Sequence, residues 1–123
     1  LDILPHREEV PMQQHYTIAR QDTGEDFIQI DIDVDEDGSL TMSDYCCGPA
    51  AEQCFGCRDI ESIVTLPPRS VQALYEGLTG LESEHPATDL ALFVQAIKHD
   101  DTSAQTWLRS ECDQFGVRFE WHH

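Results

Sequence analysis

Phe27-Ile28-Gln29-Ile30-Asp31-Ile32-Asp33-Val34 is the stretch on which the fold turns. Its apolar β-branched residues Ile28, Ile30, Ile32 and Val34 fall on one side, and Gln29, Asp31 and Asp33 fall on the other. A period of two with branched side chains is the pattern of a half-buried strand. Asp37-Gly38 supplies turn chemistry. Leu40 and Met42 then restart the alternation through Tyr45, so 27–45 reads as a β-hairpin. Upstream, residues 15–20 read as a short strand, and the polar run 21–26 with Gly24 as a turn. Downstream, Cys46 to Arg58 is irregular, with Gly48-Pro49 and Gly56 as breakers. Asp59 to Leu66, rich in Ile, Val and Thr, reads as a further strand ended by Pro67-Pro68.

From there the period changes to that of a helix. Val71, Leu74, Tyr75 and Leu78 share one stripe, closed by Gly80. Thr88 is placed to cap a second helix carrying Leu90, Phe93, Val94 and Ile97. Thr102 or Ser103 caps a third, with Ala104, Trp107, Leu108, Cys112 and Phe115 inward and Gly116 as its stop. Val117, Phe119 and Trp121 alternate in a closing strand. Segregated strands and helices point to α+β. The expectation is an antiparallel sheet of four to five strands with three helices on one face. The closing strand returns to the sheet, beside a central partner because Phe119 and Trp121 are apolar for an edge. Residues 1–14 read as an N-terminal extension, of which 1–11 are either foreign or a piece of something longer, with Met12 a candidate native start, ahead of one domain over 15–123. The closing His122-His123 is a candidate tag remnant.

Twenty-four acids face seven bases, a formal charge of −17. Such a field disfavours nucleic acid, whose phosphates need Lys and Arg, and disfavours an anionic membrane. It favours a cationic partner. Hydrophobic residues at 40% allow a core, which sets aside disorder. Neither a membrane-length apolar run nor a charged-then-apolar leader occurs in the sequence, so a cytoplasmic location with reduced thiols is expected. A single lysine, Lys98, against six arginines also fits a halophile, whose acids would be spread evenly.

Two motifs invite metals. Counting from Asp33, acids at 33, 35 and 37, Gly38 and Asp44 approach the spacing of an EF-hand calcium loop, but the flanks alternate like strands rather than helices. Cys46, Cys47, Cys54 and Cys57 could hold zinc, although adjacent residues chelate one ion awkwardly. A disulfide or inert thiols are the alternatives, and a redox role for Cys54–Cys57 lacks a βαβ context. The sequence contains no phosphate loop, H-E-x-x-H or G-x-S-x-G. His15, His85 and His99 have no nucleophile nearby in sequence. No catalytic residue and no cofactor is therefore assigned.

Gly48-Pro-Ala-Ala-Glu52-Gln-Cys-Phe55-Gly56 leads into Asp59-Ile-Glu61-Ser-Ile-Val-Thr65-Leu-Pro67, then Ser70-Val-Gln-Ala-Leu74-Tyr-Glu-Gly-Leu78. Trp107 to Trp121 follows as helix, Gly116 and an aromatic strand. Over about 26–121 the chain resembles small bacterial immunity proteins of polymorphic-toxin and contact-dependent inhibition systems. The four clustered cysteines depart from that pattern. The resemblance implies an inhibitor that acts by occlusion, carrying no catalytic residues. The expected partner is a cognate basic protein toxin, a nuclease by preference, with no direct nucleic acid and no membrane. The expected contacts are Asp31, Asp33, Asp35, Glu36, Asp37 and Asp44, with Tyr45 as an aromatic anchor. The alternatives are a zinc-binding domain built on the Cys46–Cys57 loop and a nucleic-acid-mimic inhibitor.

Overall fold

The computed structural model describes residues 14–56 and 59–123. The 1–13 part of the expected extension, Cys57 and Arg58 lie outside them. The hairpin of alternating residues forms as expected. Strand β1 (Gln14–Asp22) precedes β2 (Phe27–Val34) and β3 (Leu40–Cys47), and β4 (Asp59–Leu66) follows. Together with β5 (Glu120–His122) they make one five-stranded antiparallel sheet in the order β1-β2-β3-β4-β5. At the β2–β3 turn the Gly38 amide donates to the Asp35 carbonyl, and the Asp37 carboxylate accepts from the Ser39 amide at 2.9 Å.

The three expected helices are α2 (Pro68–Thr79), α3 (Pro86–Ile97) and α4 (Ala104–Gln114). They cover one face of the sheet. Ile30, Ile32, Val34, Leu40, Met42, Val64 and Leu66 from that face meet Val71, Leu74, Leu90, Val94, Leu108 and Cys112 in one buried cluster. Each fully buried Ile or Leu contributes roughly 1.5–3 kcal/mol of transfer free energy. α3 begins at Pro86 rather than after a Thr88 cap, because proline suits the first helical turn. The Thr88 hydroxyl instead donates to Gln14 Oε1 at 2.7 Å, tying α3 to β1. Phe115 and Ile97, expected inward, stand 41% and 48% exposed, since they lie at or past the last turns of their helices.

Two features differ from expectation. The stretch after Cys47 contains a short helix, α1 (Pro49–Phe55). The Gly48-Pro49 and Gly56 breakers are its start and stop: Pro49 opens the first turn and Gly56 closes it in the left-handed conformation. Gly48 sits at φ 119°, and a Cβ there would lie 2.3 Å from the Glu25 carbonyl oxygen. The second is the closing strand. β5 pairs with β4 alone and forms the sheet's edge, not a central strand. β1 to β4 already pair consecutively, so the flank of β4 is the remaining place for it. Trp121 tolerates the edge because Arg109 stacks on its ring at 3.8 Å and its Nε1 donates to Ser62 Oγ at 2.8 Å. Phe119 lies just before the strand and packs, half-buried, on the core.

The other edge is closed differently. A bulge at Ile18 turns both Ile18 and Ala19 inward. The Asp100 amide then bonds the Ile18 carbonyl at 2.9 Å, and Gln95 Nε2 bonds the Thr17 carbonyl at 3.1 Å. Outward backbone groups of β1 are thus partly satisfied by the helix layer, which blunts that edge. No helix among the described residues is long and apolar enough to cross a membrane.

Candidate functional site

All three long helices lie on the face of Ile30 and Met42, so none of the three covers the opposite face of the sheet. Strand register builds that face in four rows. His15, Asp33, Thr41, Thr65 and Glu120 form the first; Thr17, Asp31, Ser43, Ile63 and His122 form the second. Arg20, Gln29, Tyr45 and Glu61 form the third, and Asp22, Phe27, Cys47 and Asp59 the fourth. The face therefore carries Asp22, Asp31, Asp33, Asp59, Glu61 and Glu120 against a single arginine, Arg20.

At one end of the face, His15 clasps the acid pair. Its Nδ1 lies 2.7 Å from Asp33 Oδ1 and its Nε2 lies 3.6 Å from Asp31 Oδ1. The bond to Asp33 raises the His15 pKa above 6.5, against a smaller opposing effect of desolvation. Gln29 Nε2 donates to both carboxylate oxygens of Asp31, at 3.1 and 2.9 Å. Among the described residues no arginine or lysine pairs with an acid of the 31–37 stretch. At the other end lies an aromatic patch. Phe27 and Tyr45 rings sit 6.2 Å apart in a tilted arrangement, and the Arg20 guanidinium lies 5.0 Å over Phe27. The Tyr45 hydroxyl donates to Asp59 Oδ1 at 3.2 Å. A hydrogen bond with Cys47, then desolvation and the Asp59 charge, push its pKa up to about 12. Tyr45 is thus a neutral hydroxyl on an acidic surface.

The residues expected to meet a partner separate into three groups. Asp31, Asp33 and Tyr45 share the uncovered face. Asp35, Glu36 and Asp37 occupy the β2–β3 turn; Asp35 and Asp37 both accept from the Ser39 hydroxyl, at 3.2 and 2.7 Å, and so stabilise the turn. Asp44 does not join them. Its register pairs it with Ile30 and Ser62, which places it on the helix-covered side, where burial raises its pKa. The alternation that puts Asp31 outward puts Asp44 inward, because the turn fixes the register of β3 against β2. Nor are acids confined to one face: Glu76, Asp89, Glu111 and Asp113 lie on the helices. What distinguishes the open face is the combination of acids, aromatic rings and freedom from the three long helices.

The sequence reading missed His15, Arg20, Phe27, Asp59, Glu61 and Glu120 as members of this surface. Their signal was the alternation within β1 and β4; only the pairing of those strands shows that it lines up with Asp31 and Asp33. The metal motifs fare worse. Cys46 and Cys47 are successive strand residues and project to opposite faces of the sheet, so the two cannot ligate one ion. Cys57 and the Cys54 side chain lie outside the described residues. Asp33 and Asp44 likewise project to opposite faces, which breaks the calcium spacing. Among the described residues no group of three or more His, Cys, Asp or Glu is arranged to hold a metal. Comparison with protein-family models, curated proteins and solved structures gives no match.

Proposed function

We propose that this chain is an inhibitor of the immunity-protein kind, which neutralises a basic protein toxin by laying its uncovered sheet face over it. The observation that carries the reading is that face: six carboxylates against one arginine, around the half-buried pair Phe27 and Tyr45. Asp31 and Asp33 receive lysine or arginine from the partner, and the His15 clasp holds them ready until then. Asp59, Glu61 and Glu120 extend the field and orient the approach. Tyr45 supplies the anchor, being rigid, amphipathic and held by Asp59. Occlusion of this kind needs no catalytic group and no cofactor. The location in this reading is the cytoplasm, where a cell would need protection from such a toxin.

The test is co-expression with the product of the gene beside this one, under conditions where that product alone stops growth. Growth should be rescued by the native chain and lost with Asp31→Asn/Asp33→Asn/Glu61→Gln. In kinetics, raising salt from about 50 to about 500 mM should slow association by about tenfold or more. Tyr45→Ala should instead speed dissociation. Association indifferent to both salt and the three charge changes would remove this surface from the mechanism.

A further inference from the structure

The geometry points to a small oxyanion site, separate from the open face, in a cavity of about 240 Å³ where α2 begins. It is lined by Arg69, Ser70, Ala73, Phe115, Val117 and Arg118, together with the Gly116 backbone. In a chain with 24 acids and seven bases, a cavity wall with two arginines and no acid stands out. The larger cleft beside it, about 690 Å³, shares Arg69 and adds His85, but its three acids, Asp35, Glu36 and Glu84, oppose an anion there.

The other described cations have partners: Arg20 lies over Phe27, Arg109 over Trp121, and Lys98 over Trp107 and 3.6 Å from Asp101. No such ring or acid partner is present for Arg69 or Arg118 among the described residues. The helix that starts here is twelve residues long and has Pro67 at its cap, with no side-chain cap bond. Its first backbone bond runs from the Val71 amide to the Pro67 carbonyl at 3.0 Å, which leaves the Arg69 and Ser70 amides without an intrahelical acceptor. Ser70 adds an independent sign. It is only 7% exposed, it lines the cavity, and its hydroxyl makes no hydrogen bond to a described residue. The oxygen keeps some solvent access, so it is open toward the cavity, where an oxyanion would accept its hydrogen bond.

Two amides, one hydroxyl and two guanidiniums make a donor set for phosphate, with the helix dipole adding to it. Ala73, Phe115 and Val117 form the apolar remainder of the wall and suit the organic part of a phosphate monoester. Inorganic phosphate and a monoester share the head-group chemistry, and both serve as probes.

The experiment is an amide NMR titration at constant ionic strength, with chloride as the control anion. Inorganic phosphate should give saturable shifts at Arg69, Ser70 and 116–118. Arg69→Gln and Arg118→Gln should each weaken binding by about tenfold, and Arg20→Gln should leave it unchanged. Ser70→Ala should also weaken it, with the fold checked by circular dichroism. Phenyl phosphate binding more tightly than phosphate would assign the site to monoesters; equal binding would assign it to the free anion. No saturable shift up to about 50 mM phosphate would overturn the site, as would shifts matched by chloride or insensitive to both arginine changes.

Discussion

His15 shows how one side chain can set the character of a surface. Its bond to Asp33 raises its pKa above 6.5, so its protonated form favours the folded state. That contribution is fully present below about pH 6.5 and is lost as pH rises through the higher folded value. The ring is 55% exposed, so solvent screening keeps the effect on stability small. The clear readout is the titration itself: in ring-proton NMR, Asp33→Asn should move the His15 midpoint back toward 6.5. Asp44 is raised as well, but by burial of its charge rather than by a partner. Burial raises its carboxyl, so folding is penalised as pH climbs through the folded pKa, and the penalty is present at neutrality. Asp44→Asn should therefore raise the melting temperature near pH 7 and lose that advantage at about pH 3. An unchanged melting temperature at neutrality would mean that the carboxylate is solvated after all. Asp33 and Asp44 are of one residue type and eleven positions apart, yet sheet register gives them opposite roles.

At the scale of elements, the strands were legible because each alternates, and the long helices because their apolar residues recur at helical spacing. The short helix α1 was not, because Pro and Gly mark both loops and helix boundaries. Seven residues with a proline at one end and a glycine at the other give too little periodicity to separate the two. The Gly48 that opens it is fixed by tertiary contact: its φ of 119° and the nearby Glu25 carbonyl leave no room for a side chain. The Ala50 amide bonds Asp26 Oδ1 at 2.8 Å, so this junction ties α1 to the β1–β2 turn. Gly48→Ala should cost about 3 kcal/mol or more, read as a lower urea midpoint at unchanged slope. A loss under about 1 kcal/mol would show that the junction yields. Gln105 is a similar case of context deciding. Buried on α4, it donates to the carbonyls of Met42 at 3.2 Å and Ser62 at 2.9 Å, joining the helix layer to β3 and β4. Nothing in its local sequence marks it out from an exposed glutamine.

For the molecule as a whole, the sequence announced a large negative charge but not where it would lie. Self-repulsion at −17 opposes the folded state, and salt relieves it. Between about 10 and about 150 mM the screening length shortens from about 30 to about 8 Å, less than the span of the sheet. The melting temperature should rise by several degrees over that range and then level off. A continued climb into molar salt would instead support the halophilic reading. The open face was legible only in part, since Asp31 and Asp33 announce themselves by alternation, whereas their neighbours arrive from strands distant in sequence. The order of strands at the edge was the hardest to foresee, because Trp121 looks like a core residue until Arg109 and Ser62 are seen to shelter it.

That sheltering makes Trp121 a gauge. β5 is held by three register pairs, the thinnest seam in the sheet, and the indole rides on it. If the ribbon peels away, the guanidinium lid and the serine clasp are lost together. The emission of that ring should redden under mild denaturant while the remaining four strands still hold, giving the protein a built-in optical signal of its first step toward unravelling.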